Sequence, residues 1–178
     1  FLSDEQVVMN AAKGLESGTH LRMSEVLCQE LARDNSKGVV SMGGPAIAPE
    51  MARRQPLALV VAALDDHLLD AIQLSMENEF LKVETTRDLC GVEMGATLKN
   101  IYAIALGMCD GLGLGANTKA FLASIALSEM ILISRAIGAE EKTLFSLAGL
   151  GDLLTTGYSV HSRNRTLGEK MASGDDWN

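Results

Sequence analysis

The sequence predicts an α/β unit followed by an all-α unit, and three observations carry that reading. From Val7 to Glu84, short apolar runs alternate with amphipathic helical stretches and no hairpin signal intervenes. That alternation is the pattern of a mostly parallel sheet flanked by helices. After Asp88 no strand pattern recurs, and helical periodicities follow one another. Hydrophobic residues make up 47% of the chain but aromatic residues only 4%, so the core must be built from Ala, Leu, Ile, Val and Met, as helical and α/β packing allow. A domain boundary is therefore expected near Asp88, with 1–88 and 89–178 as the two units. At 178 residues the chain is long enough to bury a full core.

The elements follow in order. Val7 to Ala12 is a short apolar run closed by Lys13-Gly14, read as a buried strand and its turn. Leu21 to Arg33 places Leu21, Val26, Leu27, Cys28 and Leu31 on one face of a helix, for which Thr19 is favoured over Ser24 as cap. Gly38 to Met42 is a second strand, broken by Gly43-Gly44-Pro45, and Pro49 to Arg54 a short helix. The run Leu57 to Ala63 (LALVVAA) fits a strand covered on both faces. Asp65 or Asp66 caps a helix over His67 to Glu77, and Leu81 to Glu84 is the last strand. Helices are then expected near 90–110, 117–137, 140–148 and 162–172, with Asn117 as the N-cap of the second and Gly138 just past its end.

The first of these later helices holds the most informative stretch. Met94, Leu98, Ile101, Ala105 and Met108 recur at helical spacing and predict one buried stripe. Lys99 and Asn100 stand side by side within it, and Lys99 has Gly95, Ala96, Ala103 and Leu106 as helical neighbours. Small neighbours let another group approach the ammonium. Burying that ammonium without a partner costs several kcal/mol or drives its pKa down, which implies a partner or a ligand. A lysine snorkelling from the edge of a core helix has the same appearance.

Charge and cysteine content narrow the function classes. The net charge of −8 argues against nucleic acid or an anionic membrane as the main partner, since both require a basic face. An anionic small substrate remains compatible if the positive charge is local. Cys28, Cys90 and Cys109 are odd in number and lack CxxC spacing, so they read as reduced, buried thiols of a cytoplasmic protein. His20, His67 and His161 are scattered, and no metal is assigned. No uninterrupted apolar stretch is long enough to suggest a bilayer span.

Open parallel sheets gather ligands at the carboxyl ends of their strands, where Lys13-Gly14, Gly43-Gly44-Pro45 and Thr85-Thr86-Arg87 are expected. Each is equally consistent with an ordinary turn. GLGLGAN (Gly111 to Asn117) looks like a phosphate loop but follows a helix, so it reads as a helix–helix connection. In GLGDLLTT, Asp152 is either the cap of a short turn or a partner for Lys99. In SRNR, Ser162 caps a helix whose first turn holds Arg163 and Asn164. Cations are disfavoured at a helix N-terminus, and a guanidinium, an amide and a positive helix end together suit a phosphate.

These blocks together closely resemble the NAD(P)-dependent glycerol-3-phosphate dehydrogenases. The similarity rests on AAKGLE (Ala11 to Glu16), GGPAIAPE (Gly43 to Glu50), GVEMGATLKNIYAIALGMCDGLGLGANTKA (Gly91 to Ala120), LAGLGDLLTT (Leu147 to Thr156) and SRNR (Ser162 to Arg165). The resemblance implies the C-terminal half of a Rossmann-type parallel sheet domain, joined to a helical domain like that of 6-phosphogluconate dehydrogenase. It implies interconversion of sn-glycerol 3-phosphate and dihydroxyacetone phosphate with NAD or NADP, supplying glycerol phosphate for phospholipid synthesis, and a homodimer. Lys99 would then be the catalytic lysine, with Asn100, Asp152 and Thr156 around the reacting hydroxyl. Lys13 and Gly44 would contact the substrate, Ser162, Arg163 and Asn164 its phosphate, and Lys13, Ala48 and Arg163 the cofactor.

The chain departs from the family pattern at several points. Ala46 stands where Ser or Thr is usual, GATLKN replaces the commoner GGALKN, and Thr155-Thr156-Gly157 replaces a Cys-containing segment. The family's GxGxxG loop would lie upstream of Phe1 and a further helical segment beyond Asn178, so the chain reads as a piece of a longer protein that binds NAD poorly by itself. Two competing readings are a related β-hydroxy acid dehydrogenase, against which SRNR argues, and a non-catalytic helical module that dimerises.

Overall fold

The computed structural model describes residues 6–31 and 38–174. Four strands form one sheet in chain order: β1 (Val8–Asn10), β2 (Val39–Gly43), β3 (Leu57–Ala62) and β4 (Leu81–Thr86). Interleaved with them are α1 (Met23–Glu30), α2 (Ala48–Ala52) and α3 (Asp66–Met76). The rest is helical: α4 (Leu89–Gly111), α5 (Ala116–Ala136), α6 (Glu141–Phe145), a π-helical turn (Leu147–Gly151), α7 (Asp152–Tyr158) and α8 (Arg163–Ser173).

The sheet is mixed rather than wholly parallel. β1 and β2 run parallel in register Asn10 to Ser41, and β3 and β4 run parallel in register Leu57 to Leu81. The central pair is antiparallel, with Gly43 opposite Val60. The five residues of α2 rise only about 7.5 Å, too little to carry the chain back along the strands, so β3 returns antiparallel to β2. Gly44 makes the turn at φ +99°, a conformation that side chains resist. The reversal has a consequence for function. The loops after β1 and β2 open at one end of the sheet, whereas Thr85-Thr86-Arg87 after β4 lies at the other, where Arg87 pairs with Asp66.

α4 crosses back over that distance. Asp88 caps its start by accepting from the Gly91 amide, and the eleven residues to Lys99 rise about 17 Å, the length of a strand. It is buried on two sides. Val92 packs with Val60 and Ala62 on the sheet and with Ala148 of the π-helical turn, while Met94, Leu98 and Leu106 join Leu127, Met130, Leu144 and Leu153 in the helical core. A separate cluster of Val40, Leu59, Val61, Leu69, Ile72, Leu81 and Val83 fills the other face of the sheet.

The stripe predicted along α4 is only half right. Met94 and Leu98 are buried, but Ile101 is 61% and Met108 36% exposed. The line that is buried instead runs through Ala96, Lys99, Ala103, Leu106 and Gly107. Helices dock where side chains are small. A Cβ on Gly107 would lie 1.9 Å from the Arg165 carbonyl, and one on Gly168 1.9 Å from that of Ile104, so α8 rests directly on the backbone of α4.

Other expectations are corrected at element ends. β1 is a three-residue outer strand with Met9 exposed, not a buried one. α1 starts at Met23 with Arg22 at its cap, because a bridge between Leu15 and Arg22 closes a turn first and the Thr19 hydroxyl donates to Glu16 instead. The expected end of that helix at Arg33 lies outside the described residues. α5 is capped by Gly115, whose carbonyl takes the first helical amides, so Asn117 sits inside the first turn. The helix expected over 140–148 breaks at Ser146, which is extended. Asp65 caps α3, Ser162 caps α8, and Gly138 follows α5 at φ +96°, as expected. α5 also departs from the expectation on apolar stretches: its 21 residues and a mean hydropathy of 1.3 reach the length and composition of a membrane-crossing helix. Its buried apolar residues, Ala123, Ala126, Leu127 and Met130, belong to the helical core shared with α4.

Candidate active site

Where the sheet end meets the helices, a cleft of about 790 Å³ opens. Lys99 and Asp152 form its floor, Ala46 to Pro49 one lip, and Arg163 and Asn164 stand on its wall. Lys99 is 4% exposed and Asp152 2%, and the Lys99 ammonium donates to Asp152 Oδ1. Close backbone contact makes this pair possible. A Cβ at Gly95 would sit 2.3 Å from the Ala148 carbonyl, so the π-helical turn lies against α4 one helical turn before Lys99. Asp152, the first residue of α7, is delivered beside the lysine. It caps nothing with its side chain.

Asp152 is shared. Lys13, from the loop after β1, reaches its second oxygen at 3.3 Å, and the Thr156 hydroxyl, one turn along α7, donates to Oδ1 at 3.4 Å. Burial lowers the Lys99 pKa most strongly, Asp152 pushes it back up, and the neighbouring Lys13 lowers it again, with the result at about 8. Such a lysine is poised to give or take a proton near neutral pH.

The wall is ordered by amides. Asn164 Nδ2 donates to Asn100 Oδ1 at 2.8 Å, and Asn100 Nδ2 donates to the Ala96 carbonyl at 3.1 Å. Ser162 Oγ accepts from the Arg165 amide, which holds the start of α8 in place. Arg163 is exposed at that start and makes no ion pair with a described residue.

Of the residues expected in the site, Lys13, Ala48, Lys99, Asn100, Asp152, Thr156, Ser162, Arg163 and Asn164 all line this one cleft. Gly44 does not; it is buried behind the lip, close to the Val60 amide. Two participants escaped the sequence reading. Glu93 is buried on α4 and accepts from Ser24 N at 2.8 Å, Ser24 Oγ at 2.6 Å, Ser41 Oγ at 3.0 Å and Arg22 at 3.3 Å. Its signal was the one that drew attention to Lys99, a charge inside an apolar helix. Thr97 accepts from the Gly14 amide; its only signal was the departure from GGALKN.

Comparison with known proteins shows the family and the fold. The family model described as NAD-dependent glycerol-3-phosphate dehydrogenase C-terminus matches residues 88–178, and the corresponding N-terminus model matches 1–69. A glycerol-3-phosphate dehydrogenase [NAD(P)+] of Koribacter versatilis is 42% identical over 173 residues, 97% of this chain and 51% of that protein. Its counterpart in Thermobifida fusca is 43% identical over 168 residues, 94% of this chain and 50% of that protein. The crystal structure of glycerol-3-phosphate dehydrogenase from Coxiella burnetii superposes with a TM-score of 0.88 at 34% identity, over 96% of this chain and 51% of that one. That of Saccharomyces cerevisiae gives 0.84 at 25% identity, over 98% and 52%. The chain spans about half the length of the curated relatives it matches. With both of its halves matched in order, the chain belongs to the NAD-dependent glycerol-3-phosphate dehydrogenase family.

Proposed function

We propose that the full-length protein interconverts sn-glycerol 3-phosphate and dihydroxyacetone phosphate with NAD or NADP, and so supplies glycerol phosphate for phospholipid synthesis. The observation that carries this reading is the buried Lys99, its pKa lowered to about 8, on the floor of a cleft whose wall presents Arg163 and Asn164. In the oxidative direction, neutral Lys99 Nζ accepts the proton of the C2 hydroxyl; in the reductive direction the ammonium returns it. Asp152 holds Lys99 in place through Oδ1 and Lys13 through Oδ2. The Asn100 amide, fixed between Ala96 and Asn164, orients the hydroxyl beside Lys99.

Arg163, Asn164 and Ser162, at the positive end of the 11-residue α8, hold the phosphate. In a chain of net charge −8 the receptor must be local, and this helix start supplies it. Phosphate binding away from the reacting carbon fixes that carbon's position, which is how remote binding energy raises the rate. The uncharged lip of Ala46 to Pro49 fits a flat nicotinamide ring, and Ala48, Lys13 and Arg163 are the residues that would hold the cofactor. When bound, NAD or NADP supplies the hydride acceptor or donor.

In this reading residues 1–88 belong to the dinucleotide-binding domain and 89–178 to the helical substrate domain, with α4 shared by both cores. Free Cys28, Cys90 and Cys109 support a cytoplasmic location, and the exposed Phe121 and Leu132 on α5 support a homodimer.

The test is NADH or NADPH oxidation with dihydroxyacetone phosphate by the full-length protein and by Lys99→Ala. The parent should turn over, and the variant should lose about 100- to 10,000-fold in kcat. Equal rates for the two would remove Lys99 from the mechanism. No oxidation of either cofactor by the parent would overturn the function.

A further inference from the structure

Lys13 sits on the loop after β1, and 38% of its side chain is exposed. Two side chains hold that loop, Asn10 at the end of β1 and Thr97 on α4. Asn10 Oδ1 accepts from the Ala12 amide at 2.9 Å, and Asn10 Nδ2 reaches Glu93 Oε1 at 3.5 Å. One helical turn further along α4, Thr97 Oγ1 accepts from the Gly14 amide at 3.1 Å and donates to the Glu93 carbonyl at 2.8 Å. Gly14 stands at φ +126°, so the residue after Lys13 takes a backbone conformation that side chains rarely adopt, and its amide is held by the Thr97 hydroxyl.

We infer that Thr97 is a positioning residue for the proton transfer: by holding the Gly14 amide it keeps Lys13 on the outer oxygen of Asp152, and so keeps a second positive charge facing Lys99. This deepens the functional reading above and rests on it only for its kinetic consequence. The groups that face Lys99 are few. Asp152 approaches from α7 and Lys13 from the loop after β1, while His161 and Arg163 line the cleft before and at the start of α8. Glu93, on α4 itself, is engaged by Arg22 and Ser24. Lys13 is thus the charged neighbour of Lys99 whose place depends on a loop, and Thr97 ties that loop to the helix bearing Lys99. If the tie is lost, Lys13 moves toward solvent and the ammonium form of Lys99 becomes easier to hold.

The test uses the full-length protein labelled with 13C-lysine and follows the Lys99 side chain by NMR through a pH titration, the signal being assigned by its loss in Lys99→Arg. Thr97→Val keeps the shape and removes the hydroxyl. It should raise the Lys99 midpoint by about one pH unit and speed hydrogen exchange at the Gly14 amide. Thr97→Ser, which retains the hydroxyl, should restore both. In a Lys13→Met background, Thr97→Val should produce no further shift. An unchanged midpoint in Thr97→Val, or an equal shift with and without Lys13, overturns the proposal. If Thr97→Val does not fold, Thr97→Ala decides on the same criteria. The titration needs no turnover, so a parent protein lacking dehydrogenase activity would remove the functional reading while still deciding the role of Thr97. Where activity is present, the limb of the kcat–pH profile in glycerol 3-phosphate oxidation should move upward with the NMR midpoint.

Discussion

Two lysine–aspartate pairs lie along α4, alike in chemistry and different in use. Lys99 pairs with Asp152 at the middle of α4, and Lys119 of α5 pairs with Asp110 at its C-terminal end. Both lysines are buried, at 4% and 8% exposure, and each aspartate serves two cations. Asp110 accepts two bonds from Lys119 at 2.7 and 2.9 Å and one from Arg165 at 2.6 Å, and Arg165 also meets Glu169. The Lys119 ammonium lies 4.5 Å from the centre of the Tyr158 ring. This set ties α4, α5, α7 and α8 together, and none of Asp110, Lys119 and Arg165 lines the cleft described above. The Lys99 set has a loop lysine as its second cation and the cleft above it. A buried lysine with a carboxylate is therefore not in itself a catalytic sign. What separates the two pairs is access: Lys99 and Asp152 line the cleft, and Lys119 and Asp110 do not.

Substitutions in the full-length protein can break this contrast. The largest effect is expected at the closed pair. Asp110→Asn strands Lys119 and Arg165 in a buried place and should cost about 3–5 kcal/mol of stability in denaturant unfolding, with kcat of the folded protein near the parent value. A large fall in kcat without loss of stability would erase the distinction drawn here. Gly107→Ala attacks the docking of α8 that both sets share. Its methyl group would overlap the Arg165 carbonyl, and a loss of about 3 kcal/mol should appear as a lower Tm. Asp152→Asn strikes the open pair. It leaves Lys99 and Lys13 without their common anion and should lower kcat about 100-fold, equivalent to about 2.7 kcal/mol of transition-state stabilisation.

Two pH experiments sharpen the same contrast with smaller effects. In the proposed reaction, glycerol 3-phosphate oxidation would require neutral Lys99, so kcat should rise with pH through about 8 with unit slope and level off above it. A profile flat from pH 6 to 10 would contradict the lowered pKa. Burial pushes the Asp110 carboxyl up, but Lys119 and Arg165 outweigh it and hold it below the usual carboxylate range. Its stabilising contribution is then complete above the unfolded value near about 3.9 and is lost as pH falls through the lower folded value. Acid unfolding of the parent should show this loss, and Asp110→Asn should not.

The site was more legible than the fold around it, for a physical reason. Lys99, Asp152 and the Arg163–Asn164 pair announce themselves locally, as charges in apolar or helix-starting positions where they would be costly without a partner. Glu93 carried the same mark, but its partners come from two separate places in the chain, Arg22 and Ser24 at the start of α1 and Ser41 in β2, and no local spacing relates them to Glu93. Thr97 was less visible still, since a threonine in a helix needs no partner and its bond to Gly14 spans 83 positions. The direction of β3 could not be read, because LALVVAA looks the same whether it runs with β2 or against it.

The amino-acid sequence by itself determined the order of elements, the change from α/β to helical character near Asp88, and the residue types that must find partners. Burial cost, periodicity and capping act over a few neighbouring residues, and a chain states them directly. Only the tertiary structure decided which face of α4 is buried, that Thr85-Thr86-Arg87 lies away from Lys13, and that one lysine–aspartate pair lines the cleft while its twin joins α4 to α5. Those outcomes depend on backbones approaching at Gly95 and Gly107 and on a strand reversal after Gly44, contacts between distant segments that no local pattern encodes.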